Sequence, residues 1–229
     1  MGSVVGRRSV KPDNVFFNLD ARNPLTTSTL KDFLRNYTPT ISGATISGTG
    51  FTLGILLAAA SDKIDFSNIS SLNFTTTPLS IVAWIYPLSY GGGSQGRIVD
   101  KFKTTLPQTG YALWIDNSIG VNSLRFGTGW SVSTTIATMN NSITLNTWQH
   151  VAVTYAGTSC TFYVNGASIG SSGNITNPSS GSTSLVIGNN ASGTNNFDGK
   201  IDSVKIYNTA LTPSDIYQLY TSSKGRYNL

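Results

Sequence analysis

The stretch Trp148-Gln149-His150-Val151-Ala152-Val153-Thr154-Tyr155 decides the fold class. A five-residue turn, Ala156 to Cys160, separates it from Thr161-Phe162-Tyr163-Val164-Asn165-Gly166. Both halves read as alternating strands. The second ends in Asn-Gly, a strong short turn signal because both residues accept positive φ. Working outward, the apolar period is mostly two from Phe51 onward. It predicts strands over 51–58, 62–66, 79–86, 96–103, 110–116, 122–127, 130–138, 148–155, 160–165, 183–188 and 197–207. Many short strands joined by polar turns argue for an antiparallel two-sheet, all-β sandwich.

The flanks differ. Val15-Phe16-Phe17-Asn18-Leu19-Asp20 reads as a further strand, and Thr29 to Tyr37 as one helical turn or a short helix. Ile41 to Gly50 is rich in Gly, Ser and Thr and reads as a loop or weak hairpin. Ser171-Ser172-Gly173 reads as turn material. One helix closes the chain: Thr212 is its N-cap, Pro213 its first residue, and Asp215 lies in the first turn. No repeat or linker divides the sequence. The predicted organisation is a basic arm over 1–12, one domain over 13–221 and a tail over 222–229.

Of 229 residues, 39% are hydrophobic and only 11% are charged. Low charge here accompanies Ser, Thr, Asn and Gly rather than low hydrophobicity, which argues against disorder. All ten acidic residues are aspartates, and the net charge is +5. Five basic residues, Arg7, Arg8, Lys11, Lys224 and Arg226, lie in the predicted arm and tail. Without them the body carries ten basic residues against ten acidic ones. A neutral body argues against a nucleic-acid-binding surface, and basic ends suit docking on an acidic partner. The first ten residues carry no apolar stretch of a secretion signal. The longest apolar run, Ile55 to Ala60, is too short to span a bilayer. The single cysteine, Cys160, excludes a disulfide framework and reads as a buried structural thiol.

Four stretches carry a resemblance: Leu79-Ser80-Ile81-Val82-Ala83-Trp84-Ile85-Tyr86-Pro87, Trp148 to Ala152, Phe162-Tyr163-Val164-Asn165-Gly166, and Phe197 to Leu211 with its Gly199 and Asp202. In this order they resemble the laminin G-type, concanavalin A-like jelly roll in its phage or bacterial form. Asn18-Leu19-Asp20-Ala21-Arg22-Asn23-Pro24 resembles the opening of such members. The similarity covers roughly residues 15–220. It implies a jelly-roll sandwich with a short C-terminal helix. Trp84 and Trp148 are expected to fill the space between the sheets, and Gly199 to allow a close backbone approach or a bulge.

The resemblance also poses the question of chemistry, since enzymes of the wider superfamily use a pair of glutamates. This chain has none. Its close aspartate pairs are Asp62 with Asp65, which alternation places on opposite faces, and Asp198 with Asp202. The sole histidine, His150, lies inside a strand, and no Gly-x-Ser-x-Gly elbow or His/Cys zinc cluster is present. The expectation is therefore a protein without catalysis. Glycan binding, the usual small-molecule role implied by the resemblance, asks for exposed aromatics. The candidates are Trp130, Tyr90 and Tyr111, with Trp114 beside them. Calcium is the metal to consider, with Asn195, Asn196 and Asp198 as ligands in an oxygen-rich loop.

Together these features favour a virion structural protein at the virion surface: a capsid decoration, head-fibre or tail-associated subunit. Arg7, Arg8 and Lys11 would anchor it to the major capsid or another virion protein, and the body would face host-surface glycans. Neither nucleic acid nor membrane is an expected partner, and self-association is left open. The alternatives are a bacterial carbohydrate-binding module or adhesin and, more remotely, an Asp-based glycosidase.

Overall fold

The computed structural model describes residues 14–21, 30, 32, 34–35, 37–49, 54–103, 105–129, 136–173 and 175–229. Among them fifteen strands form in the order β1 (Val15–Asp20), β2 (Thr40–Ser42), β3 (Thr45–Ser47), β4 (Gly54–Leu57), β5 (Lys63–Asp65), β6 (Leu79–Pro87), β7 (Arg97–Lys103), β8 (Thr109–Asp116), β9 (Ser123–Gly127), β10 (Ile136–Asn140), β11 (Gln149–Tyr155), β12 (Ser159–Val164), β13 (Ala167–Gly173), β14 (Val186–Ile187) and β15 (Gly199–Tyr207). A single α-helix, α1 (Pro213–Ser223), follows. All pairings are antiparallel. One sheet runs β13-β12-β11-β6-β15-β4-β3 with β1 added to β15, and the other β10-β9-β8-β7-β14-β5-β2. The two make the expected jelly-roll sandwich.

The main core lies between the sheets. Ile81, Ala83 and Ile85 of β6 and Val151 and Val153 of β11 meet Tyr111, Leu113 and Ile115 of β8 and Leu124 and Phe126 of β9. Period-two alternation delivers these residues to one face. The deciding hairpin forms as read, with Val151 opposite Val164 and Tyr155 opposite Cys160. Cys160 is fully buried in this core, and burial pushes its thiol well above the usual range.

Trp84 and Trp148 do not fill the intersheet space. Residues of β6 that alternate with Ile81, Ala83 and Ile85 point to the outer face, where Trp84 clusters with Trp148 and Tyr227. The strand is buried on both sides because α1 and the segment after it cover that face. Ile216 and Leu211 pack on Val82, Ala152, Tyr163 and Tyr207. The helix starts as predicted: the Thr212 hydroxyl accepts from the Asp215 N–H, and the Asp215 carboxylate accepts from the Thr212 N–H.

The 222–229 segment is likewise no free tail. Lys224–Tyr227 form a 3-10 turn, and Tyr227 is buried. Arg226 donates to both oxygens of Asp20, at 2.9 and 2.6 Å, and lies 3.5 Å from Asp202. Part of the basic charge assigned to the ends is thus neutralised on the body.

Three further expectations change. Ile41 to Gly50 holds β2 and β3, but they join different sheets, and the chain crosses between layers at Gly43, whose φ is +66°. The predicted turn at 171–173 belongs to β13, an edge strand lacking an apolar alternation to betray it; its ladder to β12 makes it a strand. The described part of 29–37 is a turn held by Asp32, whose carboxylate accepts from the Asn18 and Arg35 N–H groups at 2.7 Å each. No described helix is long and apolar enough to cross a membrane.

Candidate binding site

The outer face of the second sheet carries the site. Strand β7 reads Arg97-Ile98-Val99-Asp100-Lys101-Phe102-Lys103, an unusual number of charges for a buried strand. Simple alternation would put Arg97 and Asp100 on opposite faces. An irregularity between Arg97 and Val99 shifts the register, so that Arg97 pairs with Trp114 and Asp100 with Ala112. Both side chains then share the outer face, with Arg97 Nε 3.2 Å from Asp100 Oδ2 and each 2% exposed. The guanidinium carbon lies 4.5 Å from the Trp114 ring centre.

The row continues across two more strands. Trp114 Nε1 donates to Asp116 Oδ2 at 3.1 Å, and Arg125 Nη1 approaches the same oxygen at 3.3 Å. Asp116 Oδ1 accepts from the Ser118 N–H and hydroxyl. Carboxylate, guanidinium and indole groups thus alternate along the row, with each buried charge beside one of opposite sign. Burial raises the Asp100 pKa to about 6, against the opposing pull of Arg97 and the Phe102 N–H. Burial also lowers the Arg97 pKa, opposed by Asp100 and Asp116.

Beside this row opens a cavity of about 200 Å³. Arg97, Asp100 and Phe102 form one wall, while Thr183 and Asn190 to Ser192 form another. That second wall is held by its own amides. Asn189 Nδ2 donates to the Ala60 and Asp62 carbonyls, and its Oδ1 accepts from the Asn190 and Asn195 N–H groups. Asn190 Nδ2 donates to Asn195 Oδ1 at 2.7 Å, and Lys63 Nζ donates to the Ala191 carbonyl at 2.8 Å. A carboxylate flanked by hydroxyls, amides and one ring is an arrangement for hydrogen-bonding a polyhydroxylated ligand.

The residues singled out from sequence fall elsewhere. Trp130 lies outside the described residues, as do Arg7, Arg8 and Lys11. Tyr111 is fully buried, stacked 5.8 Å from Phe74, and Tyr90 is 8% exposed with its hydroxyl on the Ile143 carbonyl. Neither ring offers a face to solvent, because inward alternation places Tyr111 in the core and loop packing covers Tyr90. Trp114 is buried within the outer row. Asn195, Asn196 and Asp198 do link loops: Asn195 Nδ2 donates to the Gly92 carbonyl, the Asn196 carbonyl accepts from the Gly92 N–H, and the Ser89 hydroxyl donates to Asp198 Oδ2 at 2.6 Å. No group of three or more His, Cys, Asp or Glu among the described residues could hold a metal.

The residues first weighed for catalysis are also dispersed. Asp62 caps a turn through the Ala58 and Ala59 N–H groups. Asp202 is buried and accepts from the Tyr227 hydroxyl at 2.5 Å. The bulge lies at Asp202 rather than Gly199, between Ile201 and Ser203. Gly199 instead serves close approach: a Cβ there would sit 2.2 Å from the Tyr86 carbonyl oxygen. His150 lies on the outer face against Trp84 and Tyr220, away from the core thiol of Cys160. The site that sequence reading missed had one signal: Arg97, Asp100 and Lys101 inside a strand otherwise built of Ile, Val and Phe.

A two-sheet antiparallel jelly roll is the architecture of lectin-like domains. The chain belongs to the concanavalin A-like lectin/glucanases superfamily, whose laminin G-type profile matches residues 59–217. No curated protein matches it. Among solved structures, the binding domain of Paraclostridial Mosquitocidal Protein 1 is similar at 20% identity and a TM-score of 0.68, over 92% of this chain and 52% of that one. A botulinum neurotoxin type C structure, described in terms of its interaction with two ganglioside molecules, aligns at 17% identity and a TM-score of 0.63, over 92% and 51%. The chain thus spans about half the length of each. Domain 4 of the extracellular arabinanase AbnA from Geobacillus stearothermophilus, in complex with arabinotriose, aligns at 19% identity and a TM-score of 0.65, over 90% and 98%. These similar structures are mostly binding domains. At such identities they share the fold.

Proposed function

We propose that this chain is a carbohydrate-binding domain without catalysis, holding its glycan at the cavity between β7 and the 189–196 loop. The observation that carries this is that Asp100, Asn190 and Ser192 line one cavity. The arabinotriose complex of one similar fold and the ganglioside interaction named for another support the ligand class. Retention of pure protein on a glycan array, lost in Asn190→Ala, is the expected result. A full array with no retained sugar would overturn the reading.

One observation favours a second reading. Asp65 and Asp100 both pair with Val186, from opposite sides. They share a row two strands apart, roughly 10 Å between Cα atoms. Inverting glycosidases separate their carboxyls by ~6.5–9.5 Å. Against an acid–base role, Asp65 Oδ1 accepts the Ser67 N–H, and Asp100 is engaged by Arg97 and Phe102. Sugar release from a polysaccharide that disappears in Asp65→Asn would establish the enzyme.

The virion location is a separate proposal, supported by Arg7, Arg8 and Lys11 and by the phage-type opening at 18–24. Deleting residues 1–12 is expected to leave glycan retention intact and to weaken attachment to particles. Normal particle decoration by the truncated chain would end that idea.

A further inference from the structure

The outer face of the second sheet is wide enough to carry a long groove, since β8, β9 and β10 continue beside β7. It does not do so. Phe102, Ala112, Trp114 and Ile136 form one buried cluster across that face, none more than 9% exposed. Asp116 is fully buried in the same row. Among the described residues, therefore, the face beyond β7 is filled. On the other side, the Asn190–Ser192 wall is braced by Lys63 and Asn189. Among the described residues, a cavity of about 200 Å³ stays open beside β7. That is the space of roughly one sugar ring.

The polar groups point the same way. Asp100 lines the cavity with both oxygens already engaged on one side, by Arg97 Nε and by the Phe102 N–H. Each oxygen keeps a lone pair, and as an acceptor-only group the carboxylate discriminates a hydroxyl from an ether oxygen. The end residue of a glycan presents a free hydroxyl at the position where an internal residue carries its glycosidic link. We infer that this cavity receives the terminal sugar residue of a glycan, end on, and excludes chain interiors. The inference rests on the glycan-binding reading above.

Calorimetric titration of the whole chain tests it, with gluco-, galacto-, arabino- and sialyl-terminated oligosaccharides of one to six residues. For the series that binds, affinity should change less than about threefold from two to six residues. O-methylation of the terminal residue should cost about tenfold or more, because a buried acceptor then loses its donor. Ser192→Tyr, at the exposed rim, should abolish binding without lowering the melting temperature. Asp100→Asn should weaken binding too, but Arg97 depends on it, so the rim variant and the methylated sugars carry the test. Affinity that climbs with every added residue, or that survives end-capping, would overturn the end-on inference while leaving glycan binding in place. Failure of every probe to bind would overturn the glycan reading and this inference with it.

Discussion

Tyr227 lies flat against Trp84, with ring centres 3.9 Å apart and planes 25° from parallel. Its hydroxyl meanwhile donates to the buried Asp202 carboxylate. The last turn of the chain is therefore part of the fold's outer layer. Tyr227→Ala is expected to cost about 3 kcal/mol, as for other buried aromatics. Tyr227→Phe keeps the stack but removes a charge-assisted hydrogen bond, costing about 2 kcal/mol. Urea midpoints of the two variants check this; an unchanged midpoint for Tyr227→Ala would show that the turn adds nothing.

His150 makes the fold sensitive to acid. Burial first, then the nearby Lys205 charge, lower its pKa from 6.5 to about 3. The folded state thus keeps the ring neutral, while the unfolded chain takes up a proton below pH 6.5. The stability tied to neutral His150 is present above pH 6.5 and falls as pH drops toward 3, by up to about 1.4 kcal/mol per unit. Asp100 acts in the opposite sense. Its pKa is raised from 3.8 to about 6, so its contribution is full below pH 3.8 and is lost as pH rises through 6. His150→Gln should flatten the loss of stability between pH 6.5 and 3 in urea titrations. Equal slopes for variant and parent would refute the assignment.

Tyr111 places a hydroxyl in the core that finds no hydrogen-bond partner among the described residues. Burial accordingly raises its pKa. Removing the hydroxyl removes a desolvation cost, so Tyr111→Phe should stabilise the protein by about 1 kcal/mol. A rise in melting temperature is the expected reading, and a fall would mean that the oxygen is satisfied.

Gly91 and Gly120 both have positive φ, +69° and +76°. Around Gly120 a Cβ would meet nothing within 4 Å, whereas at Gly91 it would sit 1.9 Å from the Asn196 carbonyl oxygen. Gly120→Ala should therefore cost only the backbone strain, about 1 kcal/mol. Gly91→Ala adds a clash that displaces the 189–196 loop, and should weaken glycan retention as well as lower the melting temperature. Comparable effects from the two substitutions would show that the loop contact is soft.

Legibility in the sequence followed periodicity. The β11–β12 hairpin, β6, β8 and the capped helix α1 were readable because alternation, Asn165-Gly166 and Thr212-Pro213 are local signals. Strand β13 was not, since Ala, Ser and Gly carry no pattern and only its ladder to β12 makes it a strand. Trp84 and Trp148 were recognised as buried but assigned to the wrong layer, because a strand covered on both faces reads the same whichever way its large residues point. The cavity was missed, and Tyr90 and Tyr111 were chosen in its place, because aromatic identity says nothing about exposure.

The amino-acid order alone determined which segments extend, where they turn, and that a jelly roll without glutamate would result. These properties come from side chains and from near neighbours along the chain. Only the tertiary structure decided that Arg97 and Asp100, three residues apart, share a face, since that depends on a register irregularity against Trp114 on the next strand. It likewise decided that Arg226 closes on Asp20, a pairing 206 residues long. Contacts of that range are set by how layers stack, and no local pattern encodes them.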